Sequence, residues 1–209
     1  MPKSMENLIE GYKHFRQEYF DKNKVLFDGL IANGQKPKIL IIACSDSRVD
    51  PAIVTNAAAG DLFVIRNVAN LVPPYEDEDN ASYHGTSAAL EFGVCSLGIK
   101  HIVVFGHSRC GGINSLFNES DSGKGFIAKW MKIAANSRDF VNQNYADLSV
   151  DDKTDLCGKY SLINSLNNLK TFPWIRSRLK DGRLNTHGWY FDIANGSILT
   201  LVQNQFLKL

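Results

Sequence analysis

Three short, uninterrupted apolar runs stand out in the first half of the chain. They are residues 39–43 (Ile-Leu-Ile-Ile-Ala), 62–65 (Leu-Phe-Val-Ile) and 102–105 (Ile-Val-Val-Phe). Runs of this length without a polar position are typical of strands covered on both faces. The alanine-rich stretch 85–97 between the second and third runs predicts a helix. Strands that alternate with helices indicate a parallel sheet with right-handed crossovers.

The first 34 residues predict a helical arm. A helix is expected from about Ser4 to Ile31, and Asn33-Gly34 supplies its stop signal. Its apolar positions recur at helical spacing: Leu8, Tyr12, Phe15 and Tyr19. This aromatic stripe must be buried somewhere, and two alternatives stay open: it packs on the chain's own core, or it reaches onto a partner subunit.

The second half predicts helices and then a hairpin. Helical segments dominate from about 126 to 180, and two strand patterns, 189–193 and 198–202, flank an Asn195-Gly196 turn. The predicted fold class is therefore α/β, a mainly parallel sheet core flanked by helices, with the N-terminal helical arm and a C-terminal β-hairpin. No repeat or linker divides the chain, so we expect a single domain over residues 1–209, with residues 1–34 as the arm.

Composition narrows the class of protein. The 209 residues are 44% hydrophobic and 22% charged, so the chain is too apolar to be mainly disordered. The 23 basic and 22 acidic residues leave a net charge of +1, which gives no bulk attraction to nucleic acid or to a membrane surface. No apolar run approaches the ~20 residues of a membrane helix. The start of the chain lacks an apolar signal core, so we expect a cytoplasmic protein.

Two polar segments directly follow the first and third apolar runs. They are Cys44-Ser-Asp-Ser-Arg48 and His107-Ser-Arg-Cys110-Gly-Gly. Ligands of open α/β sheets bind beyond the carboxyl ends of the strands, so the two thiols and the imidazole converge if these strands are neighbours. Two thiolates and one imidazole are a good ligand set for zinc and leave one tetrahedral position open, which is the pattern of a catalytic site.

Simpler interpretations were weighed against this site. His-x-x-Cys alone is a weak signal, and Cys44 and Cys110 could be small buried hydrophobes with His107 as a satisfied core histidine. A phosphate-binding loop is disfavoured because only three residues separate Cys44 from Arg48, and redox chemistry is disfavoured because the chain has no Cys-x-x-Cys. Cys95 and Cys157 lack a strand-end context and are interpreted as bystander thiols.

Asp46 and Arg48 add a second layer to the site. Residues two apart in an extended segment share a face, so Asp46 should emerge on the side of Cys44. Arg48 is placed to form a bidentate pair with Asp46, which would keep this carboxylate ionised and off the metal. The simpler interpretation is an ordinary turn ion pair.

Together the two polar segments resemble the β-class carbonic anhydrases. The likeness runs from about residue 35 to residue 113 and includes Arg66-Asn-Val-Ala-Asn70. The plant-type branch is indicated by residues 71–75 (Leu-Val-Pro-Pro-Tyr) and by Tyr83-x-Gly-Thr86. The bicarbonate-inhibited branch has a tryptophan where this chain has Ile41 and a tyrosine where it has Phe191, so we expect an open zinc site without Asp46 on the metal.

The resemblance implies zinc-dependent reversible hydration of carbon dioxide to bicarbonate and a proton, by attack of a zinc-bound hydroxide, with one Zn²⁺ per subunit. It implies roles for nine residues: Cys44, His107 and Cys110 as metal ligands, Asp46 and Arg48 as the catalytic dyad, and Gln35, Phe63, Tyr83 and Gly111 as substrate-binding residues. It also implies a homodimer or a dimer of dimers, which would place the arm at the interface. No nucleic-acid or membrane partner is expected.

Two other functions fit the same zinc site. A hydrolase of a carbon dioxide analogue, such as carbon disulfide or carbonyl sulfide, would use the same zinc chemistry. A zinc-binding scaffold without turnover would be expected to lack the dyad, yet Asp46 and Arg48 are both present.

Overall fold

The computed structural model describes residues 2–77, 84–118 and 124–209. By its internal contacts the chain divides into two compact units, Met1–Lys36 and Pro37–Leu209. No helix in these described ranges is both long enough and apolar enough to cross a lipid bilayer.

The N-terminal unit is helical, as predicted, but it is not one continuous helix. Helix α1 (Lys3–His14) runs into a π-helical segment (Phe15–Phe20), and α2 (Lys24–Asn33) follows after a break. At the break, Asn23 leaves the helical region (φ −111°, ψ 28°), and its side-chain amide donates to the Tyr19 carbonyl at 2.7 Å. Asparagine disfavours helix interiors because its side chain offers the backbone such alternative hydrogen bonds.

The aromatic stripe of the arm is partly buried within its own unit. Within the stripe, the Phe15 and Tyr19 rings stack at 5.6 Å between centroids, and each meets the edge of Phe27, at 6.3 and 6.0 Å. Leu8, Tyr12 and Phe15 nevertheless remain exposed. Ring contacts around the break therefore cover only part of the stripe.

The second unit holds one six-stranded sheet and seven further α-helices among its described residues. The strands are β1 (Ile39–Cys44), β2 (Leu62–Asn67), β3 (His101–His107), β4 (Asn185–Asp192), β5 (Ser197–Val202) and β6 (Gln205–Lys208). The helices are α3 (Pro51–Thr55), α4 (Gly85–Glu91), α5 (Gly111–Asn114), α6 (Gly125–Met131), α7 (Ala135–Asn144), α8 (Val150–Leu169) and α9 (Pro173–Lys180). A π-helical segment, Phe92–Ser96, continues α4.

The strand order is β2-β1-β3-β4-β5-β6. The first four strands in this order are parallel, and β4, β5 and β6 are antiparallel to one another in turn. The predicted α/β class, with its mainly parallel sheet and C-terminal hairpin, is confirmed. The short edge strand β6 was not predicted. Because β1 and β3 are neighbours, Cys44 and His107 end adjacent strands at the same edge of the sheet.

Helix α8 packs closely against the middle of the sheet because glycines face it. A Cβ atom on Gly188 of β4 would lie 2.7 Å from Leu162 Cδ2, 3.1 Å from Leu166 Cδ1 and 3.1 Å from Leu201 Cβ. Gly106 of β3 makes a similar close approach to Leu162. This contact fixes where α8 lies relative to the carboxyl ends of β3 and β4.

Gly188→Ala is expected to lower the free energy of unfolding by about 1–3 kcal/mol, because the added methyl would lie too close to Leu162 and Leu166 of α8. It would also meet Leu201 Cβ of β5, which is close to the backbone and cannot swing away. Urea denaturation of the zinc-loaded protein measures the change. Gly85→Ala is the control, since a Cβ there meets nothing within 4 Å. Equal unfolding midpoints for Gly188→Ala and the wild type would contradict the close packing of α8.

Candidate metal centre

Three buried donor side chains meet at the carboxyl edge of the sheet. Cys44 is the last residue of β1, His107 is the last residue of β3, and Cys110 is the N-cap of α5. The sulfur atoms of Cys44 and Cys110 are 3.9 Å apart, and one ligand atom from each of the three residues lies within 4.8 Å of the others. The convergence predicted from the strand ends is present.

The His107 ring is fixed in one tautomer. Its Nδ1 lies 2.8 Å from the Ser108 carbonyl, which can only accept, so Nδ1 carries the proton and Nε2 keeps a free lone pair. This buried Nε2 has no hydrogen-bond partner in the described part of the chain. A buried acceptor without a partner costs free energy that a metal ion would recover. The His107 ring is therefore oriented to bind a metal ion through Nε2.

The two sulfur atoms are within hydrogen-bonding distance of each other, at 3.9 Å. A hydrogen bond from the Cys110 thiol lowers the pKa of Cys44, although burial opposes the shift, and the Ala69 N–H adds a contact to the Cys44 sulfur at 3.3 Å. The same contact with Cys44, together with burial, raises the pKa of Cys110. A metal ion that binds here would displace the remaining thiol proton, because metal binding requires thiolates.

The donor set fits zinc. Two sulfur atoms, each about 2.3 Å from a tetrahedral zinc ion, are about 3.8 Å apart, and the observed separation is 3.9 Å. His107 supplies a third ligand, and one tetrahedral position remains for a water molecule or substrate. Cys44, His107 and Cys110 form the only set of three such donors found among the described residues.

Asp46 and Arg48 form the predicted bidentate pair beside this cluster. Arg48 Nε donates to Asp46 Oδ1 at 2.9 Å, and Arg48 Nη2 donates to Oδ2 at 2.6 Å. These hydrogen bonds hold the pKa of Asp46 well below its usual range, so the carboxylate stays ionised. The Asp46 backbone N–H also donates to Cys44, which places the pair directly next to a ligand.

Arg66 hydrogen-bonds to the backbone of the Cys44–Asp46 segment, a role that was not predicted from the sequence. Its guanidinium donates to the Cys44 carbonyl at 2.8 Å, to the Asp46 carbonyl at 2.8 Å and to Asp50 Oδ2 at 2.7 Å. The sequence signal that could have found it is a charged residue directly after the apolar run of β2. In the sheet Arg66 lies in register with Ala43, next to Cys44. Three bonds from one planar group hold the Cys44–Asp46 backbone in place.

Of the four residues predicted to bind substrate, Gly111 and Phe63 can be located relative to the cluster. Gly111 begins α5, directly after Cys110. Phe63 is in register with Leu40, four residues before Cys44, which is about 13 Å along the strand. Gln35 belongs to the unit Met1–Lys36, and Tyr83 lies outside the described residues.

Comparisons with known proteins identify the family of the chain. The family model described as "Carbonic anhydrase" matches residues 39–198. A carbonic anhydrase of Synechococcus elongatus is 38% identical over 199 residues, which is 94% of this chain and 71% of that protein.

Two solved structures share the fold. The β-carbonic anhydrase CcaA is 38% identical with a TM-score of 0.91, over 99% of this chain and 100% of that chain. A structure from the work on two tetrameric β-carbonic anhydrases of the ascomycete Sordaria macrospora is 32% identical with a TM-score of 0.76, over 95% and 93% of the two chains. With the family model covering most of the chain and these relatives covering nearly all of it, the chain belongs to the β-class carbonic anhydrases.

Proposed function

We propose that this protein is a carbonic anhydrase that catalyses the zinc-dependent reversible hydration of carbon dioxide to bicarbonate and a proton. One zinc ion per subunit is held by Cys44, His107 and Cys110. The observation that carries the proposal is the buried Nε2 of His107, which lacks a partner and faces two thiols at zinc-ligand separation.

Zinc at this site would lower the pKa of a water molecule and so supply the nucleophile at neutral pH. Residues next to the metal ligands would position this water molecule. Arg48 satisfies both oxygens of Asp46 and thereby keeps this carboxylate off the metal. Asp46 stays ionised and can only accept hydrogen bonds, so it orients a water molecule whose proton points toward the carboxylate. The hydrogen bonds from Arg66 to the Cys44 and Asp46 carbonyls fix the backbone that carries the metal ligand and the carboxylate.

For the substrate pocket, we propose Gln35, Phe63, Tyr83 and Gly111 as substrate-binding residues. Phe63 would supply an apolar wall, and Gln35 and the Gly111 amide would hold an oxygen atom. The Gly111 N–H lies at the start of α5, where an oxygen atom can be held. Because Phe63 is about 13 Å along β2 from the level of Cys44, it would serve the pocket of a neighbouring subunit rather than its own.

A homodimer or a dimer of dimers follows from this assignment. Support comes from β2, which is an edge strand of the sheet and exposes Val64. Ile53 on α3 and Phe92 after α4 are also exposed apolar residues. Apolar edges of this kind are protected in stable proteins, and a second copy would cover it. We assign the N-terminal arm to the same interface because Leu8 and Tyr12 are also exposed.

We expect light scattering on a sizing column to give two or four times the monomer mass of 23.3 kDa at micromolar concentration. Val64→Lys, which adds a charge to the β2 edge, should lower this mass, whereas Val202→Lys on β5 serves as a control with similar exposure. A wild-type protein that elutes as a monomer would contradict the assignment of Phe63 to a neighbouring pocket.

We further propose a cytoplasmic location. Its support is that Cys44, Cys95, Cys110 and Cys157 are all free thiols, which is the usual state of cysteines in a reducing compartment.

The proposed function is tested by removing zinc and adding it back. Stopped-flow hydration of carbon dioxide with a pH indicator should fall to the buffer rate after chelation, and it should return in proportion to added Zn²⁺ up to one ion per chain. Full hydration by the zinc-free protein, or no hydration by the zinc-loaded protein, would refute the proposal. In the second case carbon disulfide becomes the substrate to test.

A further inference from the structure

The turn between the ligands His107 and Cys110 contains a backbone conformation that a side chain disfavours. Arg109 has a φ of +54°, in the left-handed region that residues with a Cβ rarely occupy. Such a conformation persists only where surrounding contacts impose it, and it is common at functional sites. What holds Arg109 in this conformation therefore also fixes the spacing between His107 and Cys110.

One side chain from a distant helix holds the Arg109 backbone. Asp155 Oδ1 of α8 accepts a hydrogen bond from the Arg109 N–H at 2.7 Å. Asp155 is itself well anchored, because its backbone carbonyl accepts from the hydroxyl of Tyr190, which is 2% exposed on β4. A charged acceptor on a rigid helix makes a strong bond to an N–H.

The other end of the same residue contacts the dyad. The Arg109 carbonyl accepts from Arg48 Nη2 at 3.2 Å, and Arg48 in turn holds both oxygens of Asp46. The backbone of Arg109 thus connects Asp155 on one side with Arg48 on the other. If the turn relaxed, Cys110 and the orientation of Arg48 would shift together.

We propose that Asp155 is a positioning residue that sets both the zinc-ligand turn and the Asp46–Arg48 pair through the backbone of Arg109. This inference rests on the proposed function of the site. Asp155 touches neither the metal ligands' donor atoms nor the dyad side chains in the contacts described, so its effect on both would pass through the Arg109 peptide groups.

Four variants test the proposal by zinc release into excess chelator and by kcat and KM of the zinc-loaded enzyme. Asp155→Ala should release zinc about 10-fold faster and lower kcat about 10-fold with little change in KM, which is the usual scale for residues behind metal ligands. Asp155→Asn retains an accepting oxygen and should stay within about threefold of the wild type. Asp155→Ala combined with Arg109→Gly should recover most of the loss, because glycine adopts positive φ without a penalty.

Asp151→Ala is the matched control, since Asp151 is an exposed acid one turn earlier in α8. It should leave zinc release unchanged. The proposal is overturned if Asp155→Ala changes only the thermal unfolding temperature, if Asp155→Asn is as impaired as Asp155→Ala, or if Arg109→Gly gives no recovery. A wild-type protein that binds no zinc would instead overturn the proposed function, so the two failures are distinguishable.

Discussion

Cys44→Ala is expected to abolish both zinc binding and carbon dioxide hydration. The substitution removes one of two thiolates and leaves Cys110 and His107 as an incomplete ligand pair. Mutation of residues that hydrogen-bond to metal ligands typically lowers metal affinity or activity by about 10–100-fold. Loss of a ligand itself should therefore lower kcat/KM by more than about 100-fold. Zinc quantification and stopped-flow hydration on the same sample measure the two effects together.

Cys95→Ala provides the control for Cys44→Ala. Cys95 is an exposed free thiol outside the cluster, so its loss should leave zinc content and hydration at wild-type values. Near-stoichiometric zinc in Cys44→Ala, with hydration intact, would show that the metal binds elsewhere. Circular dichroism of both variants establishes that the fold is retained.

Asp46→Asn is expected to separate catalysis from metal binding. The amide keeps the size of the carboxylate but presents an NH₂ group to Arg48 and can no longer be ionised. We expect one zinc per chain, as in the wild type, with kcat lowered by about 10²-fold, the scale for loss of a group that orients a reactant. Arg48→Ala should act in the same direction, because it frees the Asp46 oxygens.

A second aspartate–arginine pair in the same chain gives a matched control. Asp181 and Arg183 have the same two-residue spacing, and Arg183 Nε donates to Asp181 at 2.9 Å. This exposed pair precedes the start of β4, at the opposite end of the parallel strands from the metal centre. Asp181→Asn should leave kcat unchanged. If Asp46→Asn hydrates carbon dioxide at the wild-type rate, the dyad assignment is wrong.

Sequence alone located most of the metal centre because local patterns determine it. Buried parallel strands have no polar positions, so Cys44 and His107 stand out where the apolar runs end. Convergence of the donors was conditional on the adjacency of their strands, and the pairing of β1 with β3 in the structure meets this condition. The spacing of two residues between Asp46 and Arg48 was likewise enough to predict their ion pair.

Features that depend on long-range contacts were not predictable. Asp155 lies in the second turn of α8, where nothing in its sequence context indicates a bond to Arg109, 46 residues earlier. The break at Asn23 depends on a side-chain bond that competes with the helix, and helix periodicity does not detect it. Strand β6 is too short to leave a clear pattern and exists through its pairing with β5.

The most direct test of the account is X-ray absorption spectroscopy at the zinc edge of the loaded enzyme. Ligation by Cys44, Cys110 and His107 with one open position predicts two sulfur atoms at about 2.3 Å and two nitrogen or oxygen atoms at about 2.0–2.1 Å. A first shell with no sulfur, or with four sulfur atoms, would contradict the assignment of the metal centre.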